Sequence, residues 1–273
     1  MSLDTPTCFR HPDRETGRRC TRCGRPACPD CLRDASVGAQ CVDCVKDARL
    51  PGESRWRGSW RGDRILITKI IVGINVLVFV LIGLKDGTFD GTGPTSTRLA
   101  LFGPTLHTGD YYQLVTSSVV HYGFIHILFN MLVLWQVGLV LEPVAGRLRY
   151  AVLYVVSVLA GAAGAVLATP HVHVGGASGG VFGLAAAATL VMHRAGVRFW
   201  DTGFGPLVAI NLVLGFAIAN VSIGGHIGGL IGGALATEAF LQARKNNTPI
   251  LGYVGAAFVG VVSILLALAV AGR

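Results

Sequence analysis

Gly176-Ala177-Ser178-Gly179-Gly180-Val181-Phe182-Gly183-Leu184-Ala185 opens a stretch without a charged residue that continues to Met192. Gly225-His226-Ile227-Gly228-Gly229 opens a second stretch of the same build, which continues to Leu241 with Glu238 as its one charge. Each places one reactive side chain, a serine or a histidine, at the start of an apolar, small-residue helix. Whether that pairing carries chemistry depends on the rest of the chain.

Outward from these two segments the sequence is apolar almost throughout. The 273 residues are 14% charged, with mean hydropathy +0.57, against about 25% charged in ordinary soluble domains. The charge is concentrated at one end. Residues 1–64 hold 13 of the 23 Lys and Arg and 9 of the 15 Asp and Glu. Seven stretches approach the roughly 17–25 residues that a membrane helix needs. They are Ile65–Leu84, Leu114–Leu141, Tyr150–Ala168, Ala177–Met192, Phe204–Val221, Ile223–Leu241 and Ile250–Ala271. The expected fold is an all-α polytopic membrane protein. A small polar domain at 1–48 and an interfacial linker at 49–64, with Trp56 and Trp60, precede a seven-span domain at 65–273.

The basic residues set the orientation. Arg55, Arg57, Arg61 and Arg64 precede the first span. Arg147 and Arg149 follow the second, Arg194 and Arg198 the fourth, and Arg244 and Lys245 the sixth. The alternate connections hold only Lys85 and Arg98. The net charge of +8 therefore reads as topology rather than as a nucleic-acid surface. Residues 1–64 contain no apolar secretory signal, so the N-terminus is expected in the cytoplasm and the C-terminus outside. The simplest setting is a bacterial cytoplasmic membrane. Spans two, four and six then all run inward, and Ser178 and His226 sit at similar depth in the outer half.

Serine is a weak nucleophile until a base takes its proton, and histidine is the usual base. The glycines around Ser178 let the backbone turn and substrate approach. Free N–H groups at the start of span four can face an oxyanion. Small-residue spacing of this kind is also ordinary helix packing in membranes, but an intramembrane histidine is costly and normally functional. Residues 176–180 also match Gly-x-Ser-x-Gly, yet no strand precedes the serine as that motif requires. No carboxylate is placed to orient His226, since Glu238 lies about 18 Å further along the helix. A Ser178–His226 dyad is expected. His126 and Asn130, four apart on one helix face, are candidate oxyanion donors, with a plain interhelical hydrogen-bond network as the alternative.

These residues resemble the rhomboid intramembrane proteases. The likeness rests on Gly176-Ala177-Ser178-Gly179, on His226 with Gly229 and Gly233, and on His121, His126 and Asn130. Gly138, Glu142 and Gly146 also match. It covers about 65–245 and implies a six-helix core, with the helix at 250–271 as an addition. It implies that Ser178 is the nucleophile and His226 the base. The Ser178 amide, His126 and Asn130 would form the oxyanion hole, with His121 in the same cluster and Gly176 and Phe182 in support. Substrates would be transmembrane segments of other proteins, cut near the outer face from within the bilayer, with no catalytic cofactor. Two positions depart from the family pattern. Tyr112-Gln113 stands where a Trp-Arg pair is usual, and Phe182 stands where a tyrosine often stacks on the histidine. A silent relative that binds transmembrane clients, and a transporter with proton-relaying histidines, are the competing readings.

All seven cysteines lie in residues 8–44. Cys8/His11, Cys20/Cys23, Cys28/Cys31 and Cys41/Cys44 make four pairs with two-residue gaps, enough for two structural zinc ions. A reducing cytoplasm argues against disulfides. Interleaved pairing would resemble a B-box-like zinc finger, while spacing equally permits sequential pairing. The expected partner of this head is another cytoplasmic protein rather than nucleic acid.

Overall fold

The computed structural model describes residues 6–34, 38–48, 63–197 and 222–271, with Pro206 and Ala209. The expected span Phe204–Val221, those two residues apart, and linker residues 49–62 lie outside the described set. The chain divides into two compact units, Met1–Gly62 and Asp63–Arg273.

The first unit is built from short turns. Strand β1 (Thr7–Cys8) pairs antiparallel with β2 (His11–Glu15), placing Cys8 opposite His11. Strand β3 (Leu32–Asp34) pairs with β4 (Ala39–Cys41), placing Leu32 opposite Cys41, and α1 (Val42–Ala48) follows. An Arg19–Pro26 bridge brackets the turn that carries Cys20 and Cys23, closed by Gly24 at φ 74°. Cys8, Cys20, Cys28, Cys31, Cys41 and Cys44 are its buried centre, accompanied by Ala27 and Leu32. A unit this small with this little aliphatic core needs a metal or disulfides to hold it.

The second unit is helical. Its long helices are α2 (Leu66–Asp86), α6 (Phe124–Ala145), α7 (Arg147–Ala168), α8 (Ser178–Arg194), α9 (Ile223–Lys245) and α10 (Pro249–Val270). Three short helices connect α2 to α6: α3 (Pro94–Leu99), α4 (Gly103–His107) and α5 (Gln113–Thr116). Four of the long helices, α2, α6, α7 and α10, are long and apolar enough to cross a membrane. The outward faces agree. Ile70, Ile74, Leu77, Leu81 and Leu84 of α2, and Ile250, Val254, Phe258 and Leu265 of α10, are all exposed. Water does not tolerate continuous apolar faces of that size, whereas lipid requires them. This is an integral membrane protein.

One boundary differs from the hydropathy reading. The second long helix begins at Phe124 rather than near Leu114. Val120 is extended and Gly123 takes φ 91°, a backbone that glycine adopts without strain. Residues 113–119 instead form α5 and a 3-10 turn. His121 therefore stands on the loop before the helix, free of its geometry.

Glycine lets the central helices meet backbone to backbone. A Cβ on Gly229 would run into the Gly179 carbonyl, one on Gly233 into the Gly183 carbonyl, and one on Gly164 into the Gly224 carbonyl. Helix α9 is thus wedged between α7 and α8. The position of α2 is set by Glu142, near the end of α6 and fully buried. Its carboxylate accepts from the Ile67 and Thr68 amides at 2.9 Å each and from Thr68 Oγ1 at 2.7 Å. Those amides open α2 and have no acceptor within the helix. A Cβ on Gly138, one turn earlier on α6, would also strike Thr68.

Candidate active site and candidate metal centres

Ser178 is the first residue of α8, preceded by Gly176 at φ 130°. The Gly176 amide donates to the Ser117 carbonyl at 2.9 Å, fixing the strand-like approach to the serine. His226 lies on the first turn of α9, whose N-cap Ser222 accepts from the Gly225 amide at 3.0 Å. The two helix starts are held together by glycine. A Cβ on Gly161 of α7 would lie 3.0 Å from Gly179 Cα and 3.1 Å from the Gly225 carbonyl oxygen. So the residue after Ser178 and the residue before His226 share one small notch in α7.

His226 is buried, and its Nε2 makes no hydrogen bond among the described residues. The Phe182 ring, one turn along α8 from Ser178, lies 4.2 Å from the imidazole at 33°. A buried ring nitrogen without a partner is rare, since leaving one unsatisfied costs roughly 1–3 kcal/mol.

The other two histidines have readable tautomers. His126 Nδ1 accepts from the Tyr122 amide at 3.2 Å, so a neutral ring carries its proton on Nε2. That Nε2 lies 3.0 Å from the point where a Gly176 Cβ would stand, and Ser178 Oγ lies 3.7 Å from the same point. The missing side chain of Gly176 therefore leaves a vacant spot between a hydroxyl and an N–H donor. His121 Nδ1 faces the Val119 carbonyl at 3.4 Å, and its Nε2 accepts from the Ala177 amide at 3.5 Å. One neutral tautomer satisfies both contacts, and it ties the loop before α6 to the residue before Ser178. The two imidazoles meet edge to face at 5.2 Å. Asn130 is buried, and its Nδ2 donates to the His126 carbonyl at 2.9 Å, which commits one of its two N–H groups.

A cavity of about 30 Å³ adjoins Ser178, with Ser117, Ser118, Gly176, Ser222 and Gly225 in its wall. About 10–15 Å³ of such space holds a water. The serines at 117, 118 and 222 carry no motif, and only the fold brings them together. The departure at Tyr112-Gln113 also resolves. Gln113 is buried and accepts from the Phe102 amide at 3.0 Å and Thr105 Oγ1 at 2.8 Å. Its Nε2 donates to the Arg98 carbonyl at 3.2 Å. A neutral amide thus pins α3 and α4 to α5.

The cysteines and His11 gather into two groups, Cys8/His11/Cys28/Cys31 and Cys20/Cys23/Cys41/Cys44, with all ligand atoms of a group within 4.8 Å of one another. The pairing is interleaved. His11 Nδ1 lies 3.8 Å from Cys8 Sγ and 3.4 Å from the sulfurs of Cys28 and Cys31. Cys23 Sγ lies 3.8 Å from Cys41 Sγ. A tetrahedron with Zn–S near 2.3 Å and Zn–N near 2.0 Å has edges of about 3.8 Å for S–S and about 3.5 Å for S–N. The donor sets fit that shape. Within each group the thiols diverge. Burial pushes Cys8 and Cys20 up, but hydrogen bonds from backbone amides, led by those of Cys28 and Cys41 respectively, bring both down to about 6. Burial and then neighbouring thiols push Cys31 up to about 11 and Cys44 to about 12. Three or four thiols crowded this way do not all ionise together unless a cation sits among them.

Residues 108–243 match the rhomboid domain family. The chain carries a rhomboid domain. That segment runs from the approach to α5 to the end of α9 and contains His121, His126, Asn130, Gly176, Ser178, Phe182 and His226. The rhomboid domain is similar to those of curated proteins. Rhomboid protease GluP of Bacillus subtilis (strain 168) is 32% identical over 179 residues, 63% of this chain and 34% of GluP. Rhomboid protease AarA of Providencia stuartii is 23% identical, over 65% of this chain and 73% of AarA. Inactive rhomboid-related protein 2 of Caenorhabditis elegans is 27% identical, over 66% of this chain and 55% of that protein. The chain thus spans about a third of the length of GluP, and rhomboid relatives include both proteases and an inactive protein.

Proposed function

We propose that this rhomboid-domain protein is an intramembrane serine endopeptidase acting through Ser178 and His226. The observation that carries the reading is the buried, unpartnered Nε2 of His226 on the helix start that shares a notch with the start of α8. In the tautomer with its proton on Nδ1, that nitrogen offers a free lone pair for the serine proton.

Ser178 Oγ attacks the scissile carbonyl carbon while His226 Nε2 takes the hydroxyl proton. Negative charge moves to the carbonyl oxygen. The vacant spot beside Gly176 receives that oxygen, where the His126 Nε2–H and the Ser178 amide can donate to it. Collapse breaks the C–N bond, and His226 gives its proton to the leaving amine. A water then attacks the acyl carbon, His226 takes its proton, and Ser178 leaves with the proton restored. The serine-lined cavity is a store for that water within an apolar protein. No carboxylate takes part. Phe182 supplies the ring against which the imidazole is held.

By the basic-loop pattern the site faces the outer half of the membrane, with the N-terminal unit in the cytoplasm. The substrates are then transmembrane segments entering from the bilayer. The two ligand sets of the N-terminal unit hold zinc as a structural ion, which supplies folding energy rather than chemistry. Cleavage of a reporter transmembrane protein in vesicles tests the protease reading. The expected result is loss of cleavage in Ser178→Ala, and cleavage unchanged by that substitution would refute it. A wild type that binds the reporter without cutting it would instead support a client-binding role, as in a silent relative.

A further inference from the structure

Resting on the zinc reading above, we propose that Arg25 is the positioning residue of the Cys20/Cys23/Cys41/Cys44 site, holding its thiolate charge and setting how tightly that ion stays. The two ligand sets differ in charge. Four thiolates around a divalent ion leave a net −2, whereas three thiolates and a neutral imidazole leave −1. The all-cysteine site is also the more open, because Cys23 is the one cysteine exposed to solvent.

Arg25 faces that site. Its Nε lies 3.4 Å from Cys23 Sγ, the exposed ligand, and its Nη2 lies 3.8 Å from Cys41 Sγ. The same Nη2 lies 3.4 Å from Asp43 Oδ2, and Asp43 stands between Cys41 and Cys44 in sequence. The guanidinium is oriented from its other side. Its Cζ sits 4.5 Å above the Phe9 ring, and the Phe9 amide donates to the Pro26 carbonyl at 3.0 Å. Phe9 belongs to the turn that carries Cys8 and His11. One cation is therefore stacked on the ligand turn of the first site and directed at two sulfurs of the second. A planar fork holds its donors apart in a fixed geometry that spans two sulfurs and a carboxylate, whereas an ammonium presents all its donors from one point. Hydrogen bonds to ligand atoms from outside the coordination sphere typically change metal affinity by about 10–100-fold.

The opposite site has a counterpart in Arg14, which donates to Asp30 and also interacts with Cys28. Arg25 differs in facing two ligand sulfurs of its site, one of them on the exposed cysteine.

The test is metal titration of the full-length protein in detergent under reducing conditions. Cobalt(II) serves as the probe, because its thiolate charge-transfer and d–d bands distinguish four-sulfur from three-sulfur coordination. Zinc competition against a chromogenic chelator gives the affinities. The expected outcome for Arg25→Ala is a loss of about 10–100-fold in affinity at the four-sulfur site, with the Cys8/His11/Cys28/Cys31 site near its wild-type value. Arg25→Lys should fall between, since it keeps the charge and loses the fork. Arg18→Ala, an exposed arginine of the same unit, should match wild type. If Arg25→Ala holds no metal at all, Arg25→Lys decides by whether the four-sulfur site alone weakens. Wild-type affinity at both sites in Arg25→Ala, or equal weakening of both, would overturn the assignment. A wild type that takes up no metal would overturn the zinc reading itself, a separate result.

Discussion

The ring of Phe182 lies 4.2 Å from the imidazole of His226, tilted by 33°. Among the described residues it is the group that orients the imidazole, which has no carboxylate partner there and whose Nε2 makes no hydrogen bond. Phe182→Ala should therefore lower kcat by up to about a hundredfold, the usual penalty for a misplaced reacting group. KM should change little. Phe182→Tyr should keep wild-type turnover. Steady-state cleavage of a reporter segment by the three proteins checks this, and full activity in Phe182→Ala would show that the ring does not position the base.

The two oxyanion candidates are unequal. The His126 tautomer directs Nε2–H at the spot beside Gly176, whereas Asn130 spends one N–H on the His126 carbonyl at 2.9 Å. His126→Ala should cost about 10²–10³ in kcat, the range for losing an oxyanion donor, and Asn130→Ala clearly less. Gly176→Ala should be as damaging as His126→Ala, because its Cβ would stand 3.0 Å from His126 Nε2. Thermal unfolding of the same variants separates these losses from misfolding.

The glycine contacts between α8 and α9 make a stability prediction. Gly229→Ala pushes a methyl into the Gly179 carbonyl and should destabilise by about 1–3 kcal/mol, the ordinary penalty for overpacking. Gly73→Ala on α2, where a Cβ meets nothing within 4 Å, should be neutral or slightly stabilising. Melting temperatures in one detergent compare the two.

Glu142→Gln should also destabilise. The carboxylate accepts three hydrogen bonds. The amide nitrogen of glutamine would face a donor and leave it unsatisfied, at about 1–3 kcal/mol. Amide exchange at Ile67 and Thr68 should rise in this variant and stay low in wild type.

Metal retention in the N-terminal unit should fall with pH. The bound state needs thiolates. Cys31 and Cys44, at about 11 and 12, are protonated at neutral pH without metal, so each ion must displace a proton there. Cys8 and Cys20, at about 6, are already mostly ionised at pH 7. Acidification through 6 adds them to the competing protons. Proton release per zinc should thus rise, and affinity fall more steeply, below about pH 6. Titration calorimetry in buffers of different ionisation enthalpy measures it.

Much of this was legible in the sequence. The long apolar runs placed α2, α7, α8, α9 and α10 within a few residues, because lipid demands unbroken apolar faces. Residues 114–123 misled, since their hydropathy matches a helix while Gly123 permits a backbone that ends one. Ser178, His226, His126 and Asn130 were visible as residues. The tautomer of His126, the unpartnered nitrogen of His226 and the vacancy at Gly176 were not, because each depends on what another element brings. Spacing gave the eight metal-ligand candidates but not their partners. The interleaved grouping follows from contacts between distant turns, the Phe9 amide on the Pro26 carbonyl and the Cys41 amide on Cys20 Sγ. Glu142 showed no role until Thr68, 74 residues away in sequence, was packed against it.

The central claim is that Ser178 is a nucleophile activated by His226. The most direct measurement is covalent labelling of the membrane-embedded protein with a fluorophosphonate, read by mass spectrometry of the peptide containing Ser178. The prediction is stoichiometric modification of Ser178 in wild type and none in His226→Ala, with His226→Ala still folded by its melting temperature. Equal labelling of Ser178 in both proteins, or no labelling in a wild type that cleaves its reporter, would contradict it.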